Sequence, residues 1–401
     1  MSAPDGELSV LMVIEGEIAT TQLLEQVLKA GGPFGVTYRK AQLSSLAIED
    51  LDSQTVPLFV RCGDPWLRLW IKLLRRAGHP YLYYIDDNLW EIQGDSPLAL
   101  YYRDSTVRDS LRLAVSQAHQ VLTNSQVLAS YLGRFTSRAC VLPPVFDFGL
   151  IEGCAREATT EIRIGFAGST GRRPDLEVVR PVVRQVLDRI PGAVFEFCGA
   201  LPVGVEPGPG VRFFPYVDSY ADFIRFQAKR NWAIGLAPLR DTVANRSKTN
   251  NKYREYGACA IAGVYSNIDP YRGCVEHGVT GLLADNQPEC WLSAIERLAF
   301  GAQERYRIGE RAEQDVRAKY SVDFVASVWA DCIGRTRFEL LQRPSHLKRA
   351  YWTGGLWGLM AGKLRILGLQ VEDAYRKGGA SMVLSKTARR VAEGFARIRK
   401  G

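Results

Sequence analysis

Short apolar runs alternate with segments of helical period for more than 300 residues. "LSVLMVI" (Leu8–Ile14) is a buried-strand candidate. The segment "TTQLLEQVLKAGG" follows it with apolar residues three and four apart and stops at Gly31 and Gly32. Further strands are predicted at Val56–Cys62, Pro80–Asp87 and Gln120–Ser125, with helical segments between them. The rhythm pauses at "PPVFDFGLIEGCAREATTE", which has two prolines, two glycines and little period. It then restarts with strands at Ile162–Gly168, Ala193–Gly199, Val211–Tyr216, Trp232–Leu239, Ile261–Asn267 and Thr280–Asp285. Three helical stretches close the series, at about Glu289–Phe300, Gln303–Tyr320 and Val322–Leu341.

This rhythm predicts an α/β protein: two doubly wound, Rossmann-like domains facing a cleft, followed by a basic helical tail. The expected boundaries are residues 1–146 for the first domain, 147–161 for the linker, 162–333 for the second domain and 334–401 for the tail. Ligands of such sheets sit outside the carboxyl ends of the strands.

Charge changes the picture only at the tail. The chain has 401 residues and a formal charge of +8. Residues 334–401 hold 15 Lys or Arg against 4 Asp or Glu, about +11, so the body is slightly acidic. The tail mixes Trp352 and Trp357 with Leu, Lys and Arg, and Lys386–Lys400 reads as a basic amphipathic helix. That pattern suits an anionic membrane surface, and equally a pair of helices packed on the body or on another subunit. Its tryptophans are flanked by Gly and Leu, unlike a base-stacking platform, so no nucleic-acid partner is expected. The N-terminus has no basic leader, no apolar run is long enough to span a bilayer, and the eight cysteines form no C-x-x-C pair. A cytoplasmic location follows, with the inner face of the cytoplasmic membrane as the option the tail adds.

Two stretches carry candidate chemistry. "NRSKTNNKYREYGACAIAGVYSN" places Arg246, Lys248, Lys252 and Arg254 around a predicted helix start, with Glu255 as their only acid. Helix starts favour anions, so cations there call for an external one. Lys248, Lys252 and Glu255 fall on one face by their spacings of four and three. Two ammonium groups suit a diphosphate, and Glu255 suits a pair of hydroxyls. The plain alternative is a solvated basic face with Glu255 as an ion-pair partner. In "IGFAGSTGRRPDLE", Gly168 and Ser169 form a strand-to-helix turn that lets a ligand approach the backbone, and Arg172 and Arg173 supply fork-shaped donors. Asp175 reads as a helix-start residue. Asp86 and Asp87 end a predicted strand and face the cleft, where they could orient an acceptor hydroxyl. Two adjacent carboxylates supply too few ligands for a metal, and the four histidines show no ligand spacing, so no metal site is expected.

The stretch from "APLRDTVANRSKTNNKYREYG" through "DPYR" to "HGVTGLL", with "GFAGS" before it, resembles the donor-binding half of retaining glycosyltransferases of the two-Rossmann B-type fold. Most similar are the family-four-like bacterial enzymes of O-antigen, capsule and related surface polysaccharides. The resemblance covers about Glu161 to Tyr320, and "YYIDDNLWEI" resembles an acidic strand end of the other domain. It implies a nucleotide sugar, UDP- or GDP-linked, as substrate with no tightly bound cofactor, and a glycan or lipid-linked glycan as acceptor. It implies Glu255 at the ribose, Lys248 and Lys252 near the diphosphate, and Arg172 or Arg173 on its other side. Gly168 and Ser169 would form the turn beneath the donor, and Tyr216 would lie close to the base. Asp86 and Asp87 would belong to the acceptor side. The loop acid that many members carry before the helical Glu is absent: Ser247 stands eight before Glu255, and no acid follows Asp241 in that loop. A nucleotide-sugar epimerase of the same fold, and a non-catalytic carbohydrate-binding or scaffold protein, are the competing functions.

Overall fold

A computed structural model describes residues 8–342, apart from 53 and 95, together with Leu347. The tail features above, from Trp352 to Lys400, lie outside the described residues. The first sheet contains β1 (Leu8–Ile14), β2 (Val36–Gln42), β3 (Thr55–Val60), β4 (Leu82–Tyr84), β5 (Gln120–Thr123) and β6 (Ala139–Val141). The second contains β7 (Ile162–Ala167), β8 (Ala193–Cys198), β9 (Val211–Phe214), β10 (Ile234–Ala237), β11 (Ala262–Ser266) and β12 (Leu282–Ala284). Every pairing is parallel, in the orders β2-β1-β3-β4-β5-β6 and β12-β11-β10-β7-β8-β9.

The central strands are buried on both faces, which is why they read as unbroken apolar runs. Two edge strands, β2 and β6, are additions to the expected set. "VTYRKAQ" exposes most of its positions and "ACV" is only partly covered, so neither carries a core-strand pattern. Each sheet reverses its winding once, between β1 and β3 and between β7 and β10. Those reversals open a crevice at the carboxyl ends, where ligands of doubly wound sheets bind.

The chain crosses between domains twice, and the crossings touch. Phe146, at the end of the first domain, bridges to Ser321, and its N–H donates to the Tyr320 carbonyl at 2.8 Å. The last helix, Val322–Gln342, then packs on the first domain rather than on the second, where its sequence position would place it. Val325, Ala326, Trp329, Ala330 and Ile333 share a core with Val10, Met12, Leu24 and Leu58. The Trp329 indole also donates to the Pro143 carbonyl at 3.0 Å.

One packing contact fixes the floor of the second domain. Gly165 in β7 lies flat under Trp232, where an added Cβ would sit 1.9 Å from the ring. Trp232 donates to Glu196 Oε2 at 2.8 Å, and Glu196 is fully buried among Arg163, Arg212 and Arg230. Gly165→Ala therefore expels the indole and breaks its hydrogen bond to a buried acid. We expect a loss of about 3 kcal/mol, read from the urea midpoint.

Candidate functional site

Three strand ends build the floor of the cleft in the second domain. The Gly168 N–H donates to Cys198 O at 3.0 Å, and the Gly199 N–H donates to Phe214 O at 2.9 Å. Gly199 has a φ of 80°, and a Cβ there would lie 2.4 Å from the Gly168 carbonyl and 3.0 Å from the Tyr216 ring. Only glycine allows that approach. Tyr216 is thereby set beside the Gly168–Ser169 turn, with 56% of its surface exposed. Ser169 precedes the turn Thr170–Arg172 without capping it, so its hydroxyl is not used by the local backbone.

The helix Asn251–Ala258 enters from the other side of the switch point. Lys248 precedes this helix rather than sharing its face, because the loop is interrupted by a separate turn of helix at Val243–Arg246. Lys252 and Glu255 do sit on one face, and they pair: Nζ lies 2.6 Å from Oε2. Both are largely buried, at 11% and 5% side-chain exposure, and Lys252 also lies 5.4 Å above the Phe223 ring. Among the described residues Glu255 Oε1 has no partner and can accept.

A cavity of about 240 Å³ joins these pieces to the first domain. Gly168, Ser169, Tyr216, Lys252 and Glu255 line it, and so does Asp86 from across the cleft. Five of the eight expected donor residues and one of the two acceptor-side acids therefore share one chamber. Lys248, Arg172 and Asp87 lie outside its wall, and Lys248 is within electrostatic reach of the other two. Arg173 is exposed and lies outside the chamber wall.

The cations of the opening helix region now separate by partner. Arg246 pairs with Asp241 on the surface. Arg254 is 2% exposed and is held by carbonyls: its guanidinium donates to Val145 O just before the linker and to the Asn250 and Asn251 side chains. Lys252 is taken by Glu255. Lys248 is the one of this group whose side chain has no hydrogen bond or ion pair among the described residues; its backbone N–H donates to Asn245 O at 3.2 Å. Burial and the nearby Arg172 push its ammonium down to about 8, with Asp87 and Asp175 opposing them.

Asp175 lies in the first turn of the short helix Arg173–Leu176, as a helix-start residue, and it has a second job. It is 3% exposed, pairs with Arg172 at 3.2 Å, and accepts from the Arg240 N–H at 3.0 Å and Asn245 Nδ2 at 2.9 Å. One buried acid thus ties the turn after β7 to the loop after β10, and holds the Arg172 guanidinium at the switch point. On the facing domain, Arg61 Nη1 pairs with Asp86 at 3.0 Å and with Asp87 at 3.1 Å. Burial raises the Asp86 carboxyl above its usual range, with Arg61 working against that rise. Sequence reasoning missed Arg61 and Thr20, and read Asp175 as a helix start alone. The one available signal was an arginine ending the apolar run "PLFVR" at a strand's carboxyl end.

No protein-family model and no curated protein matches the sequence. Solved structures match its shape. Sucrose-phosphate synthase from Thermosynechococcus elongatus aligns with a TM-score of 0.60, at 14% identity, over 83% of this chain and 100% of its own. Anabaena HepE, solved with UDP-glucose, aligns at 0.59 and 13% identity over 82% and 100%. A glycosyltransferase from Rickettsia africae aligns at 0.54 and 10% identity over 84% and 99%. The fold is GT-B.

In this GT-B chain the two domains also touch across the cleft mouth. Asn88 Nδ2 lies 3.4 Å from the Ser247 hydroxyl, and both residues are buried. Gln26 Nε2 donates to Asp147 Oδ2 at 3.1 Å nearer the linker. The Asn88 Oδ1 and Thr249 Oγ1 atoms are buried without partners at this junction. Among the described residues, no group of three or more His, Cys, Asp or Glu could hold a metal ion. No helix among them is long and apolar enough to cross a membrane.

Proposed function

We propose that this GT-B protein is a glycosyltransferase that moves a sugar from a UDP- or GDP-linked donor to a glycan or lipid-linked glycan acceptor. The observation that carries the reading is the chamber between the domains, where a free oxygen of Glu255 and the Gly168–Ser169 turn face Asp86. Glu255 Oε1 accepts from ribose hydroxyls, and Lys252 holds the other oxygen of that carboxylate at 2.6 Å. The diphosphate rests at the switch point between the turn after β7 and Lys248. Charge grows on the departing nucleoside diphosphate as the glycosidic bond to it breaks, and preset cations stabilise that charge more than they stabilise the ground state. Asp86 and Asp87 form the acceptor side. Closure of the domains keeps bulk water from a hydrolysable donor and leaves the acceptor position open to a single hydroxyl or water molecule. The resemblance to family-four-like enzymes supports retention and a role in bacterial surface polysaccharide synthesis. The tail supports work at the inner face of the cytoplasmic membrane.

A thermal-shift screen against UDP, GDP and their sugars tests the reading. One nucleotide class raises the melting temperature of the wild-type protein by mass action. Glu255→Gln keeps the size of the side chain but weakens its hold on ribose hydroxyls and on Lys252. We expect it to lose most of the shift, about a tenfold weaker Kd from one charge-assisted hydrogen bond. No shift with any nucleotide in a folded wild-type protein overturns the glycosyltransferase reading in favour of a scaffold.

A further inference from the structure

The two acids after β4 answer to a single side chain. Arg61 follows β3 with a φ of 53°, a left-handed conformation that few residues with a Cβ adopt. Such backbone persists only where its surroundings hold it, and it concentrates at functional sites. Here the Arg61 N–H donates to Tyr84 O at 2.9 Å, and the Tyr102 hydroxyl donates to Arg61 O at 3.4 Å. The turn is thereby clamped against β4, and the guanidinium enters at 10% side-chain exposure.

Its Nη1 reaches Asp86 Oδ1 and Asp87 Oδ2 together. The remaining oxygens of the two acids have different fates. Asp86 Oδ2 accepts from the Thr20 hydroxyl at 2.8 Å, at the start of the helix after β1, so Asp86 has both oxygens engaged. Asp87 keeps Oδ1 without a protein partner among the described residues, on a side chain 36% exposed. Across the cleft, Lys248 of the other domain lies within electrostatic reach of Asp87.

We propose that Arg61 is a positioning residue that divides the acid pair, making Asp86 a strut and turning Asp87 Oδ1 toward the acceptor hydroxyl. This rests on the glycosyltransferase reading. In the transfer step, the bond from the anomeric carbon to the diphosphate oxygen breaks, and its electron pair leaves on the diphosphate. The bond from the anomeric carbon to the acceptor oxygen forms. The acceptor's proton passes to Asp87 Oδ1 and from there to solvent. Two adjacent carboxylates repel each other, and the single charge of Arg61 offsets that repulsion while one nitrogen, Nη1, holds an oxygen of each. A lysine keeps the charge and offers one nitrogen to both acids, on a more flexible stem.

The test uses the full chain, the UDP- or GDP-sugar that gives the largest thermal shift, and water as acceptor. Release of the nucleoside diphosphate and donor Kd are measured in parallel. Asp87→Asn lowers turnover at least a hundredfold and leaves donor Kd within threefold. Arg61→Gln gives the same split between rate and affinity, and Arg61→Lys recovers at least tenfold of the lost rate. Should Arg61→Gln fail to fold, Asp87→Asn and Arg61→Lys decide the matter, since both conserve shape or charge. The proposal is overturned if Asp87→Asn turns over within threefold of wild type. It is equally overturned if the Arg61 variants lose donor affinity in step with rate, or if wild type binds a donor and never releases the diphosphate. Absence of binding by any nucleotide takes down the glycosyltransferase reading, and this proposal with it.

Discussion

Lys248→Ala weakens nucleoside diphosphate binding by about 10- to 100-fold and leaves the melting temperature of the free protein unchanged or higher. The two halves of that expectation have one cause. A charge-assisted hydrogen bond to phosphate contributes about 1.5–3 kcal/mol, and its loss appears in Kd at tenfold per 1.4 kcal/mol. In the free protein the ammonium has no hydrogen bond or ion pair among the described residues, so its removal strands no buried acid. The fold in fact bears a cost for it. Burial holds the Lys248 value at about 8, below the unfolded value of about 10.4. The folded state therefore binds fewer protons than the unfolded one between those values. The penalty is fully present below pH 8 and fades as pH rises through that window. Affinity runs the opposite way. It is flat below pH 8 and falls up to tenfold per pH unit above it, because the free ammonium must first regain its proton. Isothermal titration with UDP and GDP at pH 7 and pH 9 reads this directly. A Kd equal at both values, and equal in Lys248→Ala, would remove Lys248 from the donor site.

The contrast between Lys248 and its neighbours explains how far the sequence could be read. Pairwise features were legible wherever local spacing decides them. Lys252 and Glu255 are three apart on a helix, and they pair. The turn at Gly168 and Ser169 follows a strand that announces itself by burial on both faces. What spacing does not encode is which cation is left over. Arg246 is satisfied by Asp241, five residues away, whereas Arg254 is satisfied by a carbonyl 109 residues away, just before the linker. Arg173 looked equivalent to Arg172, yet only Arg172 is gathered in by Asp175. Such choices follow from where the sheets reverse, not from any local pattern. The same reason hides the last helix. Its period is plain, but the surface that receives Trp329 and Ile333 is built from β1, β3 and the helix Ala19–Lys29, some 300 residues earlier. The edge strands β2 and β6 escaped for a simpler reason, since half-exposed strands do not need an apolar run.

Arg254→Leu should lower stability and nucleotide affinity together, which sets it apart from Lys248→Ala. Arg254 is a buried cation in the first turn of the donor-side helix, where the helix dipole opposes it, and no carboxylate among the described residues pairs with it. Its guanidinium spans Asn250 Oδ1, Asn251 Oδ1 and the Val145 carbonyl, so it bolts the helix bearing Lys252 and Glu255 to the end of the first domain. Leucine fills most of the space and leaves those three acceptors without their donor. Stranding buried acceptors costs about 1–3 kcal/mol each, partly offset because an unpaired buried charge is also removed. A net loss of about 3 kcal/mol is expected, visible as a lower urea midpoint. The helix would then no longer be fixed against the first domain, and the chamber between Glu255 and Asp86 would lose its set width. Nucleotide Kd should rise at least tenfold even where the variant is fully folded. Raising the nucleotide concentration should recover part of the midpoint by mass action, because the anion also offsets the charge that remains on Lys248. A variant with a lowered midpoint but wild-type Kd would mean that Arg254 serves that junction alone, and that the donor helix keeps its place without it.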